Sequence, residues 1–199
     1  MSSLRRQGSR KFKGCFPAAL FYSTLHLSFE FWFIVYNHEQ MINYKNILQK
    51  FVDSKINFVV VGGFAVVAHG AVRITMDLDL VIALQNQDLE KAWNVLSELG
   101  FTCRQPITKS IFIDAKKLSK IIHEKNAKAI SFYQSKQEYL VVDLLFREDL
   151  RVEDQHIVKI DLFGIKCPVI SVDKLIQLKK EAGRPKDVED VKALEKIKK

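Results

Sequence analysis

The chain is poor in the residues that build metal cages and covalent staples. Its three cysteines, Cys15, Cys103 and Cys167, stand far apart and include no CxxC pair. That argues against a zinc site or a disulfide scaffold and fits a reducing, cytoplasmic setting. His69 and His123 lack the spacing of metal ligands and read as structural. No internal repeat and no low-complexity tract is present, so solenoid and tandem-array architectures drop out. What remains is ordinary for a folded protein. The 199 residues, 48% hydrophobic and 27% charged, suit one domain with a full core and room for an appendage. The formal charge of +8 and pI near 9.3 favour a polyanionic partner, though net charge bears on association and not on fold.

Residues 1–40 differ in character from the rest. Arg5, Arg6, Arg10, Lys11 and Lys13 lead into an apolar, aromatic stretch from Cys15 to Tyr36, the order a signal anchor shows. Pro17 breaks that stretch, and no small-x-small cleavage site precedes a polar start. Glu30 would enter lipid at a cost of roughly 2.5–3.5 kcal/mol, with His26 beside it adding to the penalty. The segment is therefore expected to lie outside the domain, with no membrane partner and with Met41 as an alternative start; residues 41–199 form the domain.

From Met41 onward the pattern is regular. Ile42, Ile47, Leu48, Phe51 and Val52 suit one face of a helix. Phe58 to Val61 reads as a buried strand that Gly62-Gly63 ends, followed by a short helix from Phe64 to His69. Asp77 to Ala83 is a second strand, and Leu89, Ala92, Trp93, Leu96 and Leu99 trace a helix that stops at Gly100. Ser110–Asp114, Lys128–Gln134 and Tyr139–Phe146 are further expected strands, and Ile157–Leu162 with Ile165–Ile170 a hairpin around Phe163-Gly164. Asp173–Ala182 and Val188–Ile197 are expected to close the chain as a helical pair. The class is α/β, or α+β, around one mixed sheet flanked by helices.

Three elements can carry chemistry. Gly62-Gly63 lets backbone approach a ligand, and its N–H groups can receive phosphate oxygens; a plain tight turn is the structural alternative. Asp77 and Asp79 are two apart in a strand, so they share a face at roughly 6.5–7 Å between Cα atoms. Among apolar neighbours they repel each other and lose solvation unless a cation intervenes, and magnesium takes such hard oxygens together with phosphates. Asp143, alone in an apolar strand, needs a partner. It either meets a nearby backbone group or Arg147, or joins the pair if its strand lies beside theirs. In the tail, Lys179 and Arg184 suit phosphate. Asp187 can equally cap the last helix with Asp190 as a capping box, above a buried stripe of Val188, Val191, Leu194 and Ile197. Lysines 116, 117, 120, 125 and 128 read as a solvated face that could widen a nucleic-acid surface.

The Gly-Gly turn, the Asp-x-Asp about fourteen residues later and the distant single Asp together resemble the nucleotidyltransferase superfamily that includes DNA polymerase beta. The stretch VGGFAVVAHGAVRITMDLDL from Val61 to Leu80 is especially similar to its small bacterial members, the AbiEii-like toxins and minimal nucleotidyltransferases. LIQLKKEAGRPKDVED from Leu175 to Asp190 looks like their tail. The resemblance runs from Met41 to the end. It implies a nucleotidyltransferase core in which Asp77, Asp79 and Asp143 bind Mg²⁺ in a two-metal site. A nucleoside triphosphate would lie against Gly62 and Gly63, and Lys179 and Asp187 would join the site. The family's first motif often has serine where this chain has Gly63, so phosphate contacts would fall to backbone, Arg73 and Thr75. Implied acceptors are tRNA or other RNA, a protein hydroxyl as in toxin–antitoxin pairs with a cognate partner, or a small molecule such as an aminoglycoside. The alternative is a fold of this type without turnover, acting as a binding module or antitoxin subunit.

Overall fold

A computed structural model describes residues 38–127, 129–147, 149–150 and 154–198. The basic lead, Cys15, the apolar stretch before Tyr36 and Lys128 lie outside these residues. The elements run α1 (His38–Asp53), β1 (Phe58–Val60), α2 (Gly62–Ala68), β2 (Asp77–Ile82), α3 (Asn86–Glu98), β3 (Phe101–Cys103) and α4 (Lys109–Phe112). They continue with α5 (Ala115–Glu124), β4 (Ala129–Gln134), β5 (Gln137–Leu145), β6 (Ile157–Leu162), β7 (Ile165–Ile170), α6 (Val172–Ala182) and α7 (Pro185–Ile197). The strands make one mixed sheet in the order β3-β4-β5-β2-β1-β7-β6. The expected α/β class is therefore the observed one.

Period-2 and period-3.6 patterns account for most of this. In α1, Tyr44, Ile47, Leu48 and Phe51 are all buried, the i, i+3, i+4, i+7 stripe of a helix laid on a sheet. Leu89, Ala92, Val95 and Leu96 do the same on α3. Buried Asp88 at the start of α3 accepts bonds from the Asn57 backbone N–H (3.0 Å) and side chain (3.2 Å), tying that helix to the foot of β1. The β6–β7 hairpin turns at Phe163-Gly164 as expected, both with positive φ. Among the described residues no helix is long and apolar enough to cross a membrane.

Two expectations need correction, and one short strand was not expected. Ser110–Asp114 is not a strand: Lys109–Phe112 is helical and Asp114 caps the next helix, accepting from the Lys116 and Lys117 N–H groups at 3.1 Å. The apolar trio Ile111–Ile113 is too short to distinguish periods, and packing of Phe112 between Trp93 and Phe132 decides the outcome. The edge strand β3 was absent from the sequence reading; its three residues carry no alternation to detect. The last helix begins at Pro185 and not Val188, because proline suits the first helical position. Its buried stripe is Asp187, Asp190, Val191 and Leu194, whereas Val188 and Ile197 are exposed.

Candidate active site

The site begins with strand alternation. On β2 and β5, Leu78, Leu80, Val142 and Leu144 are fully buried on one face of the sheet. The intervening residues must therefore point to the other face. β2 and β5 pair in parallel with Asp79 opposite Asp143 and Asp77 opposite Val141. All three carboxylates thus share one face, with two of them side by side on neighbouring strands. The arrangement is open: Asp77 is exposed and Asp79 and Asp143 are half-buried.

Like charges at this spacing raise one another's pKa. Burial, then Asp143 and then Asp77 push Asp79 up to about 6, against a backbone N–H bond from Gly63 and the field of Lys179. Asp77 is also raised, by burial and then by Asp143, with Lys186, Arg104 and Arg73 opposing. Asp143 Oδ1 is buried with no hydrogen-bond partner among the described residues. Among those residues no three His, Cys, Asp or Glu side chains are placed to hold a metal ion by themselves. An ion here would complete its shell from substrate oxygens, the habit of magnesium.

The two glycines let this cluster exist. Gly62 has φ +63°, and a Cβ on it would lie 1.9 Å from Asp79 Oδ2. A Cβ on Gly63 would meet Arg73 Nη1 at 2.3 Å and Thr75 Oγ1 at 2.5 Å. Space that a serine would need is thus filled by the two side chains expected to replace it. Between α2 and β2, burial alternates along residues 72–75. Arg73 and Thr75 turn inward, while Val72 and Ile74 are 82% and 71% exposed.

The tail closes one flank. Buried Lys179 donates to Asp190 at 2.7 Å and Asp187 at 3.3 Å. Arg73 Nε pairs with Asp190 at 3.2 Å, and Arg184 forks onto Asp187 at 2.6 and 3.2 Å. The capping-box expectation is corrected here: Arg184 occupies the cap position of α7, and Asp187 lies fully buried in its first turn. Burial raises the Asp187 pKa, but the Arg184 and Lys179 partners outweigh it and the net shift is downward. The solvated-face reading of the lysines fits α5, where Lys117 and Lys120 pair with Asp114 and Glu124 in solvent. His69 makes a structural bond to Ile170 O at 2.7 Å.

Ser131 and Tyr133, across the sheet, were not among the expected site residues. β4 pairs antiparallel to β5 with Ser131 opposite Asp143 and Tyr133 opposite Val141. Arg104 N–H donates to Ser131 O at 2.8 Å, continuing the β3–β4 ladder. Ser131 and Tyr133 therefore share the carboxylate face. β4 joins β5 through a short turn at Ser135-Lys136, but the place of both residues beside Asp77 and Asp79 depends on the distant β2–β5 pairing, which no local signal marks.

The fold has close solved counterparts in shape. The lincosamide antibiotic adenylyltransferase LnuA, bound to lincomycin, superposes with a TM-score of 0.56 at 17% identity, over 78% of this chain and 96% of its own. The ANT(2″)-Ia structure with adenylyl-2″-tobramycin gives 0.54 at 13% identity, over 80% and 93%. An antigenic nucleotidyltransferase-like protein from Paracoccidioides brasiliensis gives 0.52 at 15%, over 79% and 76%. No family model matches the chain, and no curated protein matches it in sequence.

Proposed function

We propose that this chain, which has the nucleotidyltransferase fold, transfers a nucleoside monophosphate from a nucleoside triphosphate to an acceptor hydroxyl. One observation carries the reading: Asp143 stands in register with Asp79, on the open face that Asp77 shares, beside a glycine turn. Three like charges with no ion-pair partner among the described residues are costly unless a cation joins them. The partnerless Oδ1 of Asp143 and the raised Asp79 and Asp77 fit a hard divalent ion. Asp77, Asp79 and Asp143 would hold it, and magnesium would supply positive charge to the phosphates and the departing pyrophosphate.

The protein's own contribution is placement and charge. Gly62 and Gly63 keep the floor low enough for a triphosphate, and Arg73 and Thr75 line the space above Gly63. Asp143 would take the proton from the acceptor hydroxyl as its oxygen bonds to the α-phosphorus and the bond to the pyrophosphate oxygen breaks. Lys179 tunes Asp79 from behind while held by Asp187 and Asp190, which supports a supporting place for it and not direct contact with substrate.

The net charge of +8 favours RNA, including a tRNA end, as acceptor in a cytoplasmic setting; a role in a toxin–antitoxin pair would follow from such a target. A second reading, a small polyhydroxyl acceptor, is favoured by the lincomycin and tobramycin bound to similar folds. Incubation with labelled triphosphates, Mg²⁺ and separate RNA, protein and small-molecule fractions will show which one takes label. Asp77→Asn with Asp79→Asn should lower transfer by more than about a hundredfold while the protein stays folded. Transfer at the parental rate by that double variant would sink the assignment. No Mg²⁺-dependent ATP binding by calorimetry would favour a binding module without turnover.

A further inference from the structure

We propose that Tyr133 and Arg104 form a platform for a nucleobase beside the carboxylates, an inference that rests on the nucleotidyl-transfer reading. The sheet sets the position. Tyr133, Val141 and Asp77 lie in one row across β4, β5 and β2, and Ser131, Asp143 and Asp79 lie in the next. Two strand spacings put Tyr133 about 10 Å from Asp77 on the same face. The Arg104 guanidinium carbon sits 5.6 Å from the centre of the Tyr133 ring.

Direction follows from what is blocked. On the β1 side of Asp79 the chain turns at once into Gly62-Gly63 and α2, and the Lys179 cluster stands behind. Toward β4 and β3 the face is open: Ser131 and Tyr133 are half-buried and Arg104 is exposed. That open side leaves room for the sugar and base of a nucleotide whose phosphate meets the carboxylates. A flat ring and a flat cation are the side chains on which bases stack irrespective of sequence, and the Ser131 hydroxyl lies on the path. The base belongs either to the triphosphate or to the end of an RNA acceptor.

Calorimetry with Mg²⁺ separates these sources, using ATP, inorganic tripolyphosphate and a short oligoribonucleotide with a free 3′-hydroxyl. In the parent, ATP should bind at least about tenfold more tightly than tripolyphosphate. Tyr133→Leu should remove that advantage while leaving tripolyphosphate affinity unchanged, and Tyr133→Phe should keep it. If Tyr133→Leu spares ATP but weakens the oligoribonucleotide about tenfold, the platform holds the acceptor's base. If it changes neither, the platform is overturned and the transfer reading stands. If the parent binds none of the three ligands, the transfer reading falls and takes the platform with it. Should Tyr133→Leu fail to fold, Arg104→Ala at the exposed edge decides by the same comparison, with several-fold losses expected and no loss overturning the platform.

Discussion

Two groups of charged residues sit next to each other in this protein and obey opposite rules. On the sheet, Asp77, Asp79 and Asp143 crowd like charges on one face, and Asp79 is driven up to about 6. In the tail, Asp187 and Asp190 are at least as buried, yet Lys179, Arg73 and Arg184 reach them and Asp187 moves down. The same side chain is unstable in one place and settled in the other. What differs is whether the protein supplies the counter-charge. A cluster that supplies its own holds helices together and fixes Arg73 over Gly63. The carboxylates on the sheet have no ion pair among the described residues, and on the proposed reading a cation would supply what the distant lysines and arginines do not.

The comparison breaks most visibly at Lys179. Lys179→Met removes the 2.7 Å partner of buried Asp190 and leaves buried Asp187 to Arg184, and should cost about 3–5 kcal/mol of stability, read as a lower denaturant midpoint. A loss under about 1 kcal/mol would show that Arg73 and Arg184 alone satisfy both aspartates.

Asp79 should show the reverse sign. Its folded pKa lies above the ordinary 3.8, so between about pH 4 and pH 6 the folded state binds more protons than the unfolded. Metal-free stability from this group therefore falls as pH rises through that window. Asp79→Asn should gain stability over the parent as pH rises, by a margin larger at pH 7.5 than at pH 5 and on the order of a few kcal/mol at the higher value. Added divalent cation should narrow the gap by stabilising the parent. Denaturant titrations of both proteins at the two pH values, with and without Mg²⁺, check each part. A constant gap would remove the charge argument.

The third test lies where the clusters meet. Gly63→Ser restores the residue common in the resembling family but forces a Cβ to within 2.3 Å of Arg73 and 2.5 Å of Thr75. Displacing them should cost about 1–3 kcal/mol and weaken ATP binding. An unchanged melting temperature would mean that Arg73 has room to leave, and that its grip by Asp190 is loose.

Much of this arrangement could be read before any fold was known. Alternation in DLDLVIA put Asp77 and Asp79 on one face because strand geometry is local, and the hairpin at Phe163-Gly164 was legible from its turn residues. The α7 stripe was not. A pattern search looks for apolar residues, whereas the buried positions include Asp187 and Asp190, whose burial depends on cations from β2's approach loop and from α6. Ser110–Asp114 misled for a related reason: three apolar residues fit either period, and the aromatic contacts of Phe112 chose the helix.

By itself the sequence determined which residues repel, which backbone positions accept close approach, and which faces seek the core, since all of these depend on neighbours along the chain. Only the tertiary structure decided that β5 lies parallel to β2 with Asp143 level with Asp79, and that Ser131 and Tyr133 follow on the same face. The β2–β5 register comes from packing between segments more than fifty residues apart, whereas β4 joins β5 as a hairpin. No local preference encodes that choice, because every strand here offers the same hydrogen bonds to any partner.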